Sequence, residues 1–186
     1  MSPWGPPSIA CALLLAAGAA LAADDVAVDA ERRNDGIVEV RARAFVAAPA
    51  ALAWKVVTDY ERLPGFVPGL TKSKVLERRG DRLRLEQSGE ARFLLFSFPI
   101  EVQLEVFESA PHWVVSRAVG GNLRRMTGRY DLQPDAARGG VTLTYAGLVE
   151  PDFDLPPLIG VAALRQSAED QFRAMVGEIE RLAAKR

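Results

Sequence analysis

Between Leu70 and Glu150 the chain is a succession of period-two segments separated by short turns, and this constrains the fold more than any other feature. Parallel neighbours need crossovers of about a dozen residues or more, so strands joined this closely must run antiparallel. Residues 71–79 and 83–89 flank Gly80-Asp81, a hairpin signal, with Leu83, Leu85 and Gln87 on one face and Arg84 and Glu86 on the other. The run ARFLLFSFPIEVQLEVFE is apolar on both faces as far as Pro99. It then alternates Ile100, Val102, Leu104 and Val106 against Glu101, Gln103 and Glu105. Pro99 marks a bend, bulge or sheet edge. Ser109-Ala110-Pro111 turns into HWVVSRAV, Gly120-Gly121-Asn122 turns into LRRMTGRYDL, and a polar loop over 133–140 leads to VTLTYAGLVE.

One strand precedes this meander. After the turn signal Asn34-Asp35-Gly36, Val38, Val40, Ala42 and Ala44 alternate with Glu39, Arg41 and Arg43. Pro49 suits a first helical turn, and Leu52, Ala53, Trp54, Val56 and Val57 fill a short helix to about Tyr60. The segment LPGFVPGL cannot continue as regular helix, because prolines and glycines interrupt it repeatedly. At the other end, PDFDLPP opens a long helix from about Leu158. Val161, Leu164, Ala168, Phe172, Met175, Ile179 and Leu182 form its apolar stripe. Such a helix must lie on an apolar surface, and the concave face of the sheet is the one available. The expectation is an α+β fold: a curved antiparallel sheet of about seven strands around a long C-terminal helix, with two short helices after the first strand.

The uncharged run from Ile9 to Leu21 ends in Ala20-Leu21-Ala22, a small-x-small cleavage signature. It is too short to span a membrane, which takes about 20 apolar residues. Residues 1–22 therefore read as a secretory signal peptide, 23–35 as a flexible acidic lead, and 36–186 as one domain. The alternative for 1–22 is an uncleaved anchor, since no Lys or Arg precedes the apolar run. The single cysteine, Cys11, lies inside that run, so cleavage leaves no thiol for a disulfide, a nucleophile or a metal site. With 23 basic and 24 acidic residues, the balance argues against a nucleic-acid partner.

The order of elements resembles the helix-grip fold of the START-like (SRPBCC) superfamily, and within it the polyketide cyclase/dehydrase branch that includes coenzyme Q-binding START proteins. The residues that carry the resemblance are AxxxWxVVTDYERLPGFVP from Ala50, FSFPIEVQLEV from Phe96, RRMTGRYDL from Arg124 and EPDFDLPPLIG from Glu150. It covers nearly all of the chain after the leader. It implies a sheet closed around a ligand cavity, with lipids, quinones, polyketides or hormones as the range of occupants.

The residues offer little chemistry beside that cavity. His112, the one histidine, stands at a turn, so a solvated side chain is favoured over a general base. One histidine and no thiol make a zinc or iron site improbable, and no phosphate loop, dinucleotide fingerprint or nucleophile elbow is present. Neither a cofactor nor a metal is expected. Glu101 and Glu105 belong to a polar face, while Glu150, Asp152 and Asp154 stand where acids cap a helix. Strand parity places Arg124, Met126 and Tyr130 on one apolar face, with Tyr145 beside Leu143 and Gln87 beside Leu85. For these polar side chains, bonding within the protein and bonding to a ligand stand open alike. Arg124 leans to an ion pair at the rim.

The leading expectation is a hydrophobic small molecule, a lipid, quinone or polyketide-like ring system, held outside the cytoplasm. Its walls are Trp54, Phe66, Phe96, Leu104, Met126, Phe172 and Met175, and Gln87, Arg124, Tyr130 and Tyr145 are the polar groups that orient it. Phe66 and Val67 form a candidate lid. A ligand of that class leaves room for transient membrane contact, and the oligomeric state is open. Two alternatives stand beside it: a cyclase/dehydratase-type enzyme using Tyr130, Tyr145 and Arg124 on a carbonyl, and a protein-interaction module with a filled core.

Overall fold

The protein is described by a computed structural model over residues 26–93, 96–152 and 157–185. Alternation in the sequence becomes, among these residues, a single eight-stranded sheet: β1 (Ala27–Arg32), β2 (Val38–Val46), β3 (Leu70–Arg79), β4 (Arg82–Phe93), β5 (Phe96–Ser109), β6 (Trp113–Gly121), β7 (Leu123–Asp135) and β8 (Gly140–Pro151). The order across the sheet is β1-β2-β8-β7-β6-β5-β4-β3, and every neighbouring pair is antiparallel. Along β2, Val38, Val40, Ala42, Ala44 and Val46 are buried while Arg41 and Arg43 are exposed, which fixes the register because a slip of one residue would bury the arginines. Between β2 and β3 come α1 (Ala50–Val57) and a 3-10 turn (Tyr60–Gly65). The chain closes with α2 (Pro157–Ala183).

The sequence expectation is corrected at the lead. Residues 27–32, read there as flexible, form β1 and pair with β2 from Ala27↔Arg43 to Arg32↔Val38. A turn in which Arg33 donates to Ile37 (2.8 Å) and Gly36 to Arg33 (3.0 Å) joins the two strands. Buried Val26 and half-buried Val28 and Ala30 alternate with exposed Ala27, Asp29 and Glu31, but the pattern is short and its apolar residues are small. What recruits the segment is the row of backbone donors and acceptors on the edge of β2. The loop after β7 is also shorter than expected, because Gln133, Pro134 and Asp135 continue the ladder to β8. Pro99 pairs with Glu90 on one side only, since β6 joins β5 from Val102 onward. The missing N–H therefore lies where no neighbour needs it.

Among the described residues the backbone of α2 comes closest to β1, β2, β4 and α1, the outer strands, and only its side chains reach the middle of the sheet. Its C-terminal half seals one end: Val176 and Ile179 are fully buried in a cluster with Leu132, Leu143, Val46 and Val56. The N-terminal half spans the concave sheet without filling it. At the corner between the 3-10 turn and β3, Gly69 adopts φ +77°, and a Cβ there would meet the Glu90 carbonyl oxygen at 2.5 Å. Glu90 donates its N–H to the Gly69 carbonyl at 2.7 Å, so only glycine lets this corner close onto β4.

Candidate ligand-binding cavity

The space under α2 is a cavity of about 270 Å³. Its walls are apolar side chains, among them Leu85, Leu104 and Met126 from the sheet, Val57 from α1, Leu63 and Val67 from the 3-10 turn and the residues after it, and Phe172 and Met175 from α2. Polar groups enter at two places. Gln87, Ser88 and Glu90 of β4, with Ser116, Tyr130 and Tyr145 of β6, β7 and β8, enter from the sheet, which is the floor; Ser167 and Gln171 enter from α2. Gln87 is held by donating from Nε2 to Oγ of the buried Ser73 at 3.0 Å. Its amide oxygen remains available as an acceptor.

Tyr130 and Tyr145 are cross-strand partners on β7 and β8, with ring centroids 4.8 Å apart. Tyr130 also lies parallel to Phe172 of α2 at 6.3 Å, which joins floor to roof. Burial raises the pKa of both phenols, Tyr145 to about 12, because an anion there would lose its hydration. Both therefore stay neutral near pH 7. Tyr60, from the 3-10 turn, has its pKa raised further by burial and by its bond to Glu108: its hydroxyl donates to Glu108 Oε1 at 2.8 Å, and Glu108 is paired with Arg78 at 3.0 Å.

Of the residues expected from the sequence, Gln87, Leu104, Met126, Tyr130, Tyr145, Phe172 and Met175 are brought together around this cavity. Three expected residues lie elsewhere. Trp54 is half-buried on α1 and packs against the core, outside the lining, because the helix turns Val57 to the cavity instead. Phe66 sits with Arg62, Glu178 and Arg181 in a surface depression, while its neighbour Val67 points inward. Arg124 is 63% exposed and bonds Asp152 at 2.8 Å and Glu150 at 3.5 Å. A bulge between Leu123 and Arg125 breaks the strand parity that would have turned Arg124 inward, and it is Leu123 that lines the cavity. The side chain of Phe96 falls outside the described residues, as does Asp154. His112 is exposed beside the turn before β6.

Tyr60 and Gln171 are lining residues that sequence reasoning missed, and Val67, expected in a lid, is among the lining residues too. The apolar run before Tyr60 could have signalled the first; nothing local marks Gln171.

Residues 46–176 match the family described as polyketide cyclase / dehydrase and lipid transport. The chain belongs to that family. As a member, it shares its fold with an aromatase/cyclase, Zhui, from Streptomyces sp. R1128 (17% identity, TM-score 0.66, 78% of this chain and 94% of that one). A START superfamily protein from Mycobacterium smegmatis is similar at 19% identity and TM-score 0.66, over 77% of this chain and 98% of that one. A STAR-related lipid transfer protein from Xanthomonas axonopodis is similar at 17% identity and TM-score 0.63, over 82% and 98%. No curated protein is similar enough to the chain to count as a match. The helix-grip architecture read from the sequence is thus the family's fold, with eight strands in place of about seven.

Proposed function

We propose that this protein binds a hydrophobic small molecule in the cavity beneath α2 and carries it outside the cytoplasm. The observation that carries the reading is the cavity itself: about 270 Å³ walled mainly by aliphatic and aromatic side chains, with a few polar groups among them. An apolar cavity of about 150 Å³ accepts benzene, so this one has room for roughly a fused two-ring system or part of a longer chain. Affinity follows from apolar ligand surface removed from water, at about 25 cal/mol per Å². Binding is favoured over catalysis because, among the described lining residues, Glu90 is the one carboxylate and no histidine joins it.

Location outside the cytoplasm rests on the leader-like residues 1–22. N-terminal sequencing of the exported protein should give Ala23 or Asp24 as the first residue; a chain that still begins at Met1 would contradict export with cleavage. Native mass spectrometry of gently purified protein tests the binding reading. A retained lipid- or quinone-like mass that mild organic extraction removes is the expected result. A protein that retains nothing and takes up no apolar probe would leave the filled-core interaction module as the better account.

A further inference from the structure

The tyrosine pair on the cavity floor is seated in a manner that packing alone does not call for. Gly128 and Gly147 face each other across β7 and β8, and the ring of Tyr145 lies over both. A Cβ at Gly147 would stand 2.3 Å from the Tyr145 hydroxyl oxygen, and one at Gly128 would stand 3.0 Å from it. Any other residue at 147 would displace the hydroxyl. Among the described residues neither this hydroxyl nor that of Tyr130 bonds to a protein group, and no buried side-chain oxygen is left without a partner. The two hydroxyl oxygens are therefore reached from open space, which on this face of the sheet is the cavity. We infer that Tyr145, with Tyr130 beside it, forms a hydrogen-bonding site for an uncharged oxygen of the ligand, and that the cavity selects ketone- or quinone-like molecules over carboxylates of similar size. This rests on the binding reading above.

Charge decides against the carboxylate. Among the described lining residues the only ionisable side chain besides the tyrosines is Glu90, and no arginine or lysine reaches the cavity. A ligand carboxylate would lose its hydration with no cation to replace it. A carbonyl oxygen needs only a donor, and two neutral phenols supply donors throughout the physiological pH range.

The test uses three bicyclic probes, 1-tetralone, tetralin and 1-naphthoate, titrated calorimetrically at pH 8. 1-Tetralone should bind about tenfold more tightly than tetralin, with 1-naphthoate at least tenfold weaker than 1-tetralone. Tyr145→Phe should lower 1-tetralone affinity roughly five- to tenfold and leave tetralin unchanged. The carbonyl stretch of bound 1-tetralone should lie below its value in alkane and move back up in Tyr145→Phe, a readout that a packing role would not produce. Equal binding of the three probes, or no effect of Tyr145→Phe on affinity and carbonyl frequency, overturns the hydrogen-bonding site and leaves the cavity reading in place. Failure of all three to bind removes the cavity reading and this site with it.

Discussion

Tyr60 shows how one side chain ties together segments far apart in the chain. Its ring lines the cavity, and its hydroxyl reaches Glu108 at the end of β5, which in turn holds Arg78 of β3. Tyr60→Phe keeps the ring and removes the bond to a largely buried carboxylate that retains Arg78. The fold should lose about 1–2 kcal/mol, read as a lower urea midpoint with an unchanged slope. Three inward-facing tyrosines, Tyr60, Tyr130 and Tyr145, have raised pKa values, and the sign of the pH dependence follows. Above pH of about 10 the unfolded phenols release protons that the folded ones keep, so the unfolded state gains. Stability should be level in this respect below pH 10 and fall as pH rises towards 12, the folded value for Tyr145. Tyr145→Phe should make the decline between pH 10 and 11 shallower in urea titrations. Parity along β7 was enough to place Tyr130 and Met126. It failed at Arg124 because the bulge is set by how β7 meets β8, not by residue type.

The two elements that differ most in legibility are α2 and β1. The stripe of α2 is periodic over many turns, and its C-terminal part is buried along that stripe at Phe172, Met175 and Ile179. β1 carries only a short alternation of small apolar residues, Val28 and Ala30 against Asp29 and Glu31, yet it shields the edge of β2 and lies beside the buried Val26. Removing the chain through Arg32 should therefore cost about 2 kcal/mol or more from lost apolar burial and bare the β2 edge to a second molecule. Thermal unfolding would show the first effect, and concentration-dependent association in size-exclusion chromatography the second. If the truncated protein unfolds like the intact one and stays monomeric, β1 is ornamental. The 3-10 turn is held from both sides: Glu61 accepts from the Val75 N–H at 3.2 Å, and Arg62 reaches Glu178 of α2 at 3.4 Å. Arg181, at 2.6 Å from Glu178, together with Arg62 keeps that carboxylate below the usual range. The stretch over 63–70 is thus a wall of the cavity, with Val67 turned in and Phe66 turned out.

At the scale of the molecule, an arched sheet is bridged by a helix that touches its outer strands, and the middle is left open. Met126 stands on the floor of that opening. Met126→Trp should weaken binding of an apolar probe at least tenfold while changing stability by less than about 1 kcal/mol, because empty space accommodates the ring. A filled core would respond in the opposite way, losing roughly 1–3 kcal/mol of stability to overpacking. Calorimetric titration and urea unfolding of the same preparation distinguish the two. By itself the sequence determined seven of the eight strands, their antiparallel pairing, the helix that lies across them and the apolar character of what they enclose. These follow from period-two and period-3.6 patterns and turn residues, which act over a few neighbours. Only the tertiary structure decided that the enclosed space stays open, that Arg124 leaves it for Asp152, and that Tyr145 lies on a seat made by Gly128 and Gly147. Those outcomes depend on how far an arched sheet holds a helix from its centre and on which residues meet across strands, and no stretch of the chain records either distance.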